Sequence, residues 1–196
     1  MSDQPIPLFE PADKNEVAKE SFKQFAFETL KIIIISLIII LPVRYYLVQP
    51  FYVKGQSMEP NFHDNEYLII NEIGYRLNLP ERGDIIVFKY PKNPSEFYIK
   101  RIIGLPGETI KIKDNQIIIF NAENPGGKIL DENAYLASGT ETAGNLSVTL
   151  NDNEYYVLGD NRASSKDSRY FGPVDKKYII GRTWLRGWPF DRIKVF

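Results

Sequence analysis

The chain has no cysteine and only one histidine among its 196 residues. The lack of cysteine excludes disulfides, thiolate catalysis and cysteine-ligated zinc, and it leaves the redox compartment open. A lone histidine cannot build a histidine-rich metal site. We therefore expect no metal and no cofactor, and any chemistry has to come from hydroxyl, amine, carboxylate or imidazole groups.

An excess of charge of one sign is also lacking. The chain carries 24 basic and 25 acidic residues, interspersed, for a formal net charge of -1. This balance argues against a broad basic surface that grips nucleic acid, so we expect no nucleic-acid partner. With 43% hydrophobic and 25% charged residues, the composition is typical of a globular protein with one core and an appendage.

One long apolar run lies near the N-terminus. Residues 32–43 (IIIISLIIILPV) are twelve uncharged residues, seven of them isoleucine. This is short for a membrane span, which takes about 20 residues. Lys31 and Arg44 can extend their charged ends towards the membrane surface, so residues 25–48 together are long enough to cross the bilayer. We predict a polar tail over residues 1–24 and a transmembrane anchor over 25–48. A cleaved signal peptide is the weaker alternative, because bulky residues rather than a small-x-small site follow the run.

Basic residues flank the apolar run unevenly. Only Arg44 and Lys54 follow it closely, whereas four lysines precede or begin it: Lys14, Lys19, Lys23 and Lys31. The single apolar run predicts a single-pass protein. Because positive charge favours the cytoplasmic side of a membrane, the uneven lysines predict its orientation. Its N-terminus would lie in the cytoplasm and the rest of the chain on the outer face.

After residue 48 the pattern is typical of an all-β domain. Short β-branched or aromatic runs alternate with Gly, Pro, Asn and Asp, and they fall at 51–53, 67–70, 84–88, 97–103, 109–113, 117–120 and 155–158. Residues 113–116 (KDNQ) predict a hairpin turn. We predict a mainly β fold, an antiparallel β-sheet domain over 49–196, with 121–154 as a polar loop or a small inserted subdomain.

A serine lies just past the apolar run, in the stretch Lys54–Asn61 (KGQSMEPN). Ser57 fits an ordinary turn, because Ser, Gly and Pro are common turn formers. It also fits a nucleophile, which needs a base to take its proton. His63 is the obvious base by residue type. It lies, however, in the polar turn Asn61–Asn65, where an exposed histidine needs no function.

Lys100 is the stronger candidate for the base. In a strand over Glu96–Gly104 (EFYIKRIIG), alternation places Lys100 with Tyr98 and Ile102 and places Arg101 on the opposite face. Burial among apolar neighbours lowers the pKa of a lysine, which lets the neutral amine accept a serine proton. The alternative is a lysine that snorkels from a strand edge.

A third segment, Gly159–Gly172 (GDNRASSKDSRYFG), is dense in hydrogen-bonding side chains. If it is extended, Ser165, Asp167 and Arg169 share a face, so an Asp–Arg pair could hold a serine that orients an amine. The alternative is a polar loop without function. A calcium loop is not indicated, because the alternating ligands and the closing Glu are absent.

Four motifs in this order resemble those of the type I signal peptidases, membrane-bound serine proteases that remove signal peptides from exported proteins. Gly55–Pro60 (GQSMEP) is similar to the family's nucleophile motif, and Arg82–Phe88 (RGDIIVF) to its Arg-Gly-Asp strand. Tyr98–Gly107 (YIKRIIGLPG) is similar to its lysine motif, and Gly159–Gly172 to its closing Gly-Asp-Asn-Arg box. The motifs span residues 51–172, behind the N-terminal anchor.

The resemblance implies roles for individual residues. Ser57 would be the nucleophile and Lys100 the general base. Ser165 would hydrogen-bond the lysine amine, with Asp167 and Arg169 in support. The implied fold is a mainly antiparallel β structure whose catalytic core is shared with self-cleaving proteases of the repressor type.

The resemblance also implies an oxyanion hole and a pocket. Some members place a serine hydroxyl in the hole where this chain has Gly55, which suggests a hole made of backbone N–H groups, those of Ser57 and Gly55. A shallow pocket that admits small side chains such as alanine would be lined by Phe51, Val53, Tyr98 and Ile99. The family motif commonly continues Pro-Thr-Leu; here Pro60-Asn61-Phe62 stands instead, and we expect a reshaped pocket wall.

The implied partners are preprotein signal peptides and a lipid bilayer, close to the secretion translocon. The location would be the bacterial cell membrane, or a thylakoid membrane if the source is photosynthetic. Two other hypotheses stay open. A self-cleaving repressor-type protease predicts a DNA-binding helical domain where this chain has its apolar run. A membrane-anchored β domain that only binds peptides predicts that Ser57 and Lys100 are dispensable.

Overall fold

The structure is a computed structural model that describes residues 14–42 and 48–196. The chain divides into two compact units, Met1–Arg44 and Tyr45–Phe196. Residues 1–13 of the predicted tail and 43–47 of the predicted anchor lie outside the described residues.

The first unit contains one long helix, α1 (Lys14–Pro42). Within it, Phe22–Leu41 has a mean hydropathy of 2.1 and is long and apolar enough to cross a membrane. The helix begins earlier than the predicted anchor, because residues 14–20 are mostly Lys, Glu, Ala and Val without Gly or Pro, and a helix can continue through them. The side chains of this span are almost all exposed, as expected of a surface that faces lipid.

The second unit is built on two antiparallel sheets. The larger sheet contains β1 (Val48–Tyr52), β2 (Tyr67–Asn71), β3 (Ile85–Tyr90), β4 (Asn93–Gly104), β9 (Glu154–Leu158), β10 (Val174–Asp175), β11 (Ile179–Trp188) and β12 (Lys194–Val195). Its strand order is β1-β2-β11-β3-β4-β9-β10, with β12 paired to β11. The smaller sheet contains β5 (Thr109–Lys113), β6 (Gln116–Phe120), β7 (Lys128–Ile129) and β8 (Leu146–Thr149), in the order β7-β6-β5-β8. The predicted fold class, mainly antiparallel β with one N-terminal apolar helix, is confirmed.

Short helical turns connect the strands. They are α2 (Gly74–Leu77), α3 (Ser168–Phe171) and two 3-10 turns, Lys176–Tyr178 and Phe190–Arg192. The predicted hairpin turn joins β5 to β6, and Asp114 and Asn115 have φ of 50° and 61° there. Both residue types tolerate this left-handed conformation, which suits a two-residue hairpin.

The segment 121–154 is not a separate subdomain. Its strands β7 and β8 pair with β6 and β5, on either side of the hairpin. This pairing buries the isoleucines of the hairpin, Ile110, Ile112, Ile117 and Ile119, in a cluster that also includes Tyr156. The segment therefore completes the smaller sheet, because the hairpin alone would leave this apolar face in water.

A second apolar cluster supports the segment that follows β1. Met58 and Phe62 are almost fully buried and pack with Val53, Leu68 and Val87. Since Met58 comes directly after Ser57, its burial fixes the main chain at the serine. Phe62 also stacks on the C-terminal Phe196, at 4.7 Å between ring centroids.

Candidate active site

Ser57 and Lys100 come together although 43 positions separate them in the chain. The Nζ atom of Lys100 lies 2.6 Å from the Oγ atom of Ser57 and 2.8 Å from the carbonyl oxygen of Ile99. Ser57 sits in the turn after β1, whereas Lys100 extends from the middle of β4. A serine hydroxyl at hydrogen-bond distance from an amine is the arrangement that a nucleophile and its base require.

Lys100 is almost completely buried, with 3% of its surface exposed. Burial lowers its pKa from the ordinary value of 10.5 to about 8, while the carboxylates of Asp167 and Asp160 act in the opposite direction. The ring of Tyr98 lies 5.6 Å from Nζ. At pH 7 about one Lys100 amine in ten is therefore neutral and can accept a proton.

The main chain of Ser57 is held by the segment that begins at Gly159. The backbone N–H of Asn161 donates to the carbonyl oxygen of Ser57 at 3.1 Å, and the side-chain amide of Asn161 donates to that of Gln56 at 3.1 Å. Gly159 leaves no room for a side chain, since a Cβ atom there would lie 2.4 Å from the Ser57 carbonyl oxygen. The Gly-Asp-Asn-Arg box thus fixes the position of the serine.

Asp167 and Arg169 form a buried pair in this box. Arg169 donates to both carboxylate oxygens of Asp167 at 2.9 Å, and the N–H of Gly159 donates to Asp167 at 3.1 Å. The expected hydrogen bond between Ser165 and the lysine amine is not made. Ser165 Oγ is buried without a hydrogen-bond partner, because the amine is directed at Ser57 and the carbonyl of Ile99.

The expected oxyanion hole needs a correction. The backbone N–H of Gly55 donates to Asp64 Oδ1 at 2.7 Å, so it is engaged within its own loop. The N–H of Ser57 donates to no residue that the structure describes. Of the two predicted donors, Ser57 alone is therefore free to bind a developing oxyanion.

An open cleft of about 580 Å³ lies beside the pair. Its lining includes Ser57 and Lys100 together with all four residues predicted to form the pocket: Phe51, Val53, Tyr98 and Ile99. The buried Leu68 and Val87 add to its apolar wall, and three charged side chains, Lys54, Glu96 and Lys166, also line it. The cleft can therefore hold a peptide with apolar side chains beside the serine.

Three other residues singled out in the sequence lie elsewhere. His63 faces Glu59, with 3.6 Å between Nδ1 and Oε1, and does not line the cleft. Asn61 and Phe62 do not line it either, although Phe62 packs with Val53, Leu68 and Val87, which do. Phe62 is buried in the core instead, and the amide of Asn61 is directed at Asp160 and Tyr135.

Two buried ion pairs near the site were missed by the sequence analysis. Arg101 donates to both carboxylate oxygens of Asp160, at 2.8 and 2.7 Å. Its position on an apolar strand was a usable signal, since a buried arginine needs an acidic partner. Arg186 pairs with Glu66 at 3.0 Å and donates to the carbonyl of Asn61 at 2.9 Å. No local pattern indicates this contact between residues 120 positions apart.

No group of three or more His, Asp or Glu side chains within residues 14–42 and 48–196 is arranged to hold a metal ion.

The chain is similar to known proteins over most of its length. The profile of the family described as "Signal peptidase, peptidase S26" matches residues 26–188. "Probable signal peptidase I-2" of Synechocystis is 38% identical over 83% of this chain and 73% of its own. "Signal peptidase I" of Leptolyngbya laminosa is 36% identical over 98% of this chain and 94% of its own. A crystal structure of a signal peptidase I from Enterococcus faecalis, 32% identical, superposes with a TM-score of 0.44 over 54% of this chain and 97% of that one.

These matches define the class of protein as a serine endopeptidase that processes signal peptides. The chain belongs to the signal peptidase family, peptidase S26.

Proposed function

We propose that this chain removes signal peptides from exported preproteins by cleaving after small residues of the Ala-X-Ala type, with Ser57 as nucleophile and Lys100 as general base. The observation that carries the proposal is the distance of 2.6 Å between Lys100 Nζ and Ser57 Oγ at the side of an apolar cleft.

The reaction is an acyl transfer in two steps. The neutral amine of Lys100 takes the proton of Ser57 as Oγ attacks the scissile carbonyl carbon. The N–H of Ser57 donates to the oxyanion that develops. The lysine ammonium then gives its proton to the leaving amine, which departs as the N-terminus of the mature protein. Water, deprotonated by Lys100, hydrolyses the acyl-enzyme and restores Ser57.

Asp167 and Arg169 help to hold Ser57 at hydrogen-bond distance from Lys100. Asp167 bonds Arg169 and the N–H of Gly159, and Gly159 lies against the main chain of Ser57. A shift of about 1 Å at a nucleophile can cost about 100-fold in rate. Asp167 and Arg169 therefore act by holding the serine rather than by touching the substrate.

Selection of small residues follows from the cleft beside Ser57. Val53 is 4% exposed and packs in the core with Leu68 and Val87. Because the core is close-packed, a substrate side chain cannot easily displace this part of the wall. Phe51 and Ile99 pack against the same cluster. This firm wall supports a site that favours an alanine side chain over a large one.

The apolar helix accounts for the access to the substrate. With Phe22–Leu41 in a bilayer, the site is tethered to the membrane that also holds the signal peptide, which raises the effective concentration of the scissile bond. The lysines before the span favour a cytoplasmic N-terminus and an active site on the outer face of the cell membrane, near the translocon, or in a thylakoid membrane of a photosynthetic source.

The test is cleavage of a preprotein with an alanine-rich processing site by the full chain in liposomes. Ser57→Ala and Lys100→Ala should each abolish cleavage while the folded state is retained by circular dichroism. The matched controls are Ser147→Ala and Lys89→Ala, whose exposed side chains lie outside the cleft. Both should cleave at the native rate.

Each other result has a definite meaning. Cleavage by the folded Lys100→Ala variant would contradict the role of Lys100 and point to His63. No cleavage by the native chain would contradict the proposed function and favour a domain that only binds peptides. Equal cleavage of substrates with phenylalanine and with alanine before the scissile bond would contradict the small-residue pocket.

A further inference from the structure

A segment without regular secondary structure lies against the Gly-Asp-Asn-Arg box, Gly159–Gly172. Residues 132–143, which we call the brace, connect β7 to β8. Glu132 pairs with both terminal nitrogens of Arg162, at 2.9 and 2.5 Å, and the side chain of Arg162 is 1% exposed. Arg162 in turn donates through Nε to the carbonyl of Gly159 at 3.0 Å. The brace is thereby joined to the Gly-Asp-Asn-Arg box.

The brace also reaches the strand that carries Lys100. The guanidinium carbon of Arg101 lies 4.1 Å from the centroid of the Tyr135 ring, and the Tyr135 hydroxyl donates to Glu132 at 2.6 Å. A planar guanidinium stacks favourably on an aromatic ring. Tyr135 therefore packs on the Arg101–Asp160 pair.

Asn61 joins the brace to the nucleophile segment. Its side-chain amide donates to the carbonyl of Tyr135 at 2.7 Å and to Asp160 Oδ2 at 2.8 Å. An amide nitrogen carries two hydrogens, and both are used here. A threonine side chain has one hydroxyl hydrogen and could not make both bonds.

The position of Asp160 matters to both members of the catalytic pair. Its side chain is fully buried and accepts from Arg101, the residue after Lys100. It is followed by Asn161, whose N–H holds the carbonyl of Ser57. A displaced Asp160 would therefore change the separation of Ser57 and Lys100.

We propose that Asn61 is a positioning residue that sets the geometry of Ser57 and Lys100 through Asp160, and that the brace holds it through Tyr135. This inference rests on the proposed function of the Ser57–Lys100 pair. It gives the polar segment between β7 and β8 a role in catalysis, although none of its residues lines the cleft.

The test is steady-state cleavage of the same preprotein by the full chain in detergent, with kcat and KM measured well below the melting temperature of each variant. Asn61→Ala removes the bond to Asp160, whereas Tyr135→Ala keeps the main-chain carbonyl that accepts from Asn61 and removes the ring that packs on Arg101. Each variant should lower kcat roughly tenfold. KM should stay within about twofold, because neither residue contacts the substrate cleft. The double variant should lose little more than either single one, since both act on Asp160.

Two further variants sharpen the test. Asn61→Thr retains one donor and should show an intermediate loss in kcat, about threefold. If Asn61→Ala does not fold, the kcat of Asn61→Thr tests the positioning role of Asn61 instead. Asn133→Ala is the matched control, because this exposed asparagine lies in the brace and its side chain bonds no described residue. Its kcat should equal that of the native chain.

A kcat within twofold of the native value in folded Asn61→Ala, or in Asn61→Thr where the alanine variant does not fold, would overturn the inference. A raised KM with unchanged kcat would do the same, since it would indicate contact with the substrate. In either case the native chain would still cleave and Ser57→Ala would not, so the proposed function would stand while this inference failed.

Discussion

Gly159 packs directly against the main chain of Ser57. A Cβ atom at position 159 would lie 2.4 Å from the Ser57 carbonyl oxygen and 2.6 Å from the Cβ atom of Ser165, both well inside van der Waals contact. Glycine is therefore required by close approach of two backbone segments rather than by an unusual φ. This contact links the box of hydrogen-bonding residues to the nucleophile.

Gly159→Ala should abolish most of the activity. The added methyl group meets the Ser57 carbonyl and the Ser165 side chain, so it should displace the main chain of Ser57. A displacement of about 1 Å can cost about 100-fold in rate. Preprotein cleavage by the full chain measures the loss. Gly126→Ala is the matched control, because a Cβ atom there meets nothing within 4 Å. Native-like cleavage by folded Gly159→Ala would show that the contact does not position the serine.

The cleavage rate should rise with pH up to about 8. Burial lowers the pKa of Lys100 to about 8, against the opposing effect of Asp167 and Asp160, and only the neutral amine is a base. Below that pH kcat/KM should fall about tenfold per pH unit, and above it the rate should level off. A pH profile of kcat/KM checks this. An acid limb centred near 10.5, the ordinary value for lysine, would contradict a buried neutral base, and His63→Ala should leave the profile unchanged.

Lys100→Met should stabilise the fold at neutral pH while it abolishes cleavage. Because burial lowers the pKa of Lys100 from 10.5 to about 8, the unfolded chain binds more protons between these values, and stability rises with pH through this window. Below pH 8 burial of the charged amine lowers the free energy of unfolding by its full amount, at most about 3 kcal/mol for this difference in pKa. Methionine removes the amine and keeps most of the packing.

The measurement for Lys100→Met is the free energy of unfolding of the full chain in detergent at pH 7, with exposed Lys89→Met as control. Lys89→Met should leave the stability unchanged. A Lys100→Met variant that is less stable than the native chain would mean that burial of the Lys100 amine does not destabilise the fold.

Ser165→Ala should stabilise the protein slightly and lower cleavage only modestly. Its hydroxyl is buried without a partner, and removal of such a group relieves a desolvation cost of about 1 kcal/mol. We expect kcat within about threefold of the native value, because the lysine amine is held by Ser57 and the carbonyl of Ile99. Thermal melting and kcat test both parts. A loss as large as that of Lys100→Ala would show that Ser165 binds the amine during the reaction.

Local patterns in the sequence determined much of this protein. Alternating apolar residues predicted β4 and the hairpin of β5 and β6, because a strand with one buried face has to repeat every second residue. The motif that carries Ser57 and the apolar strand around Lys100 indicated the candidate pair. The isoleucine-rich run indicated the helix, since spanning a membrane requires length and hydrophobicity alone.

Strands with weak alternation were not predicted. In β11 (Ile179–Trp188), Arg182, Gly181 and Gly187 interrupt the apolar pattern, and β7 and β8 are two and four residues long. They are strands because β2, β3 and the hairpin offer them edges to pair with. Pairing with a neighbour, not local propensity, decides such segments.

Only the tertiary structure decided how the site is held. Asn61 and Asp160 are 99 positions apart, and Asn61 and Tyr135 are 74 apart. Whether a donor such as the N–H of Gly55 is free, or a hydroxyl such as that of Ser165 finds a partner, depends on which groups are buried beside it. A buried polar group has to be satisfied by whatever the fold brings near, and distance along the chain carries no information about that choice.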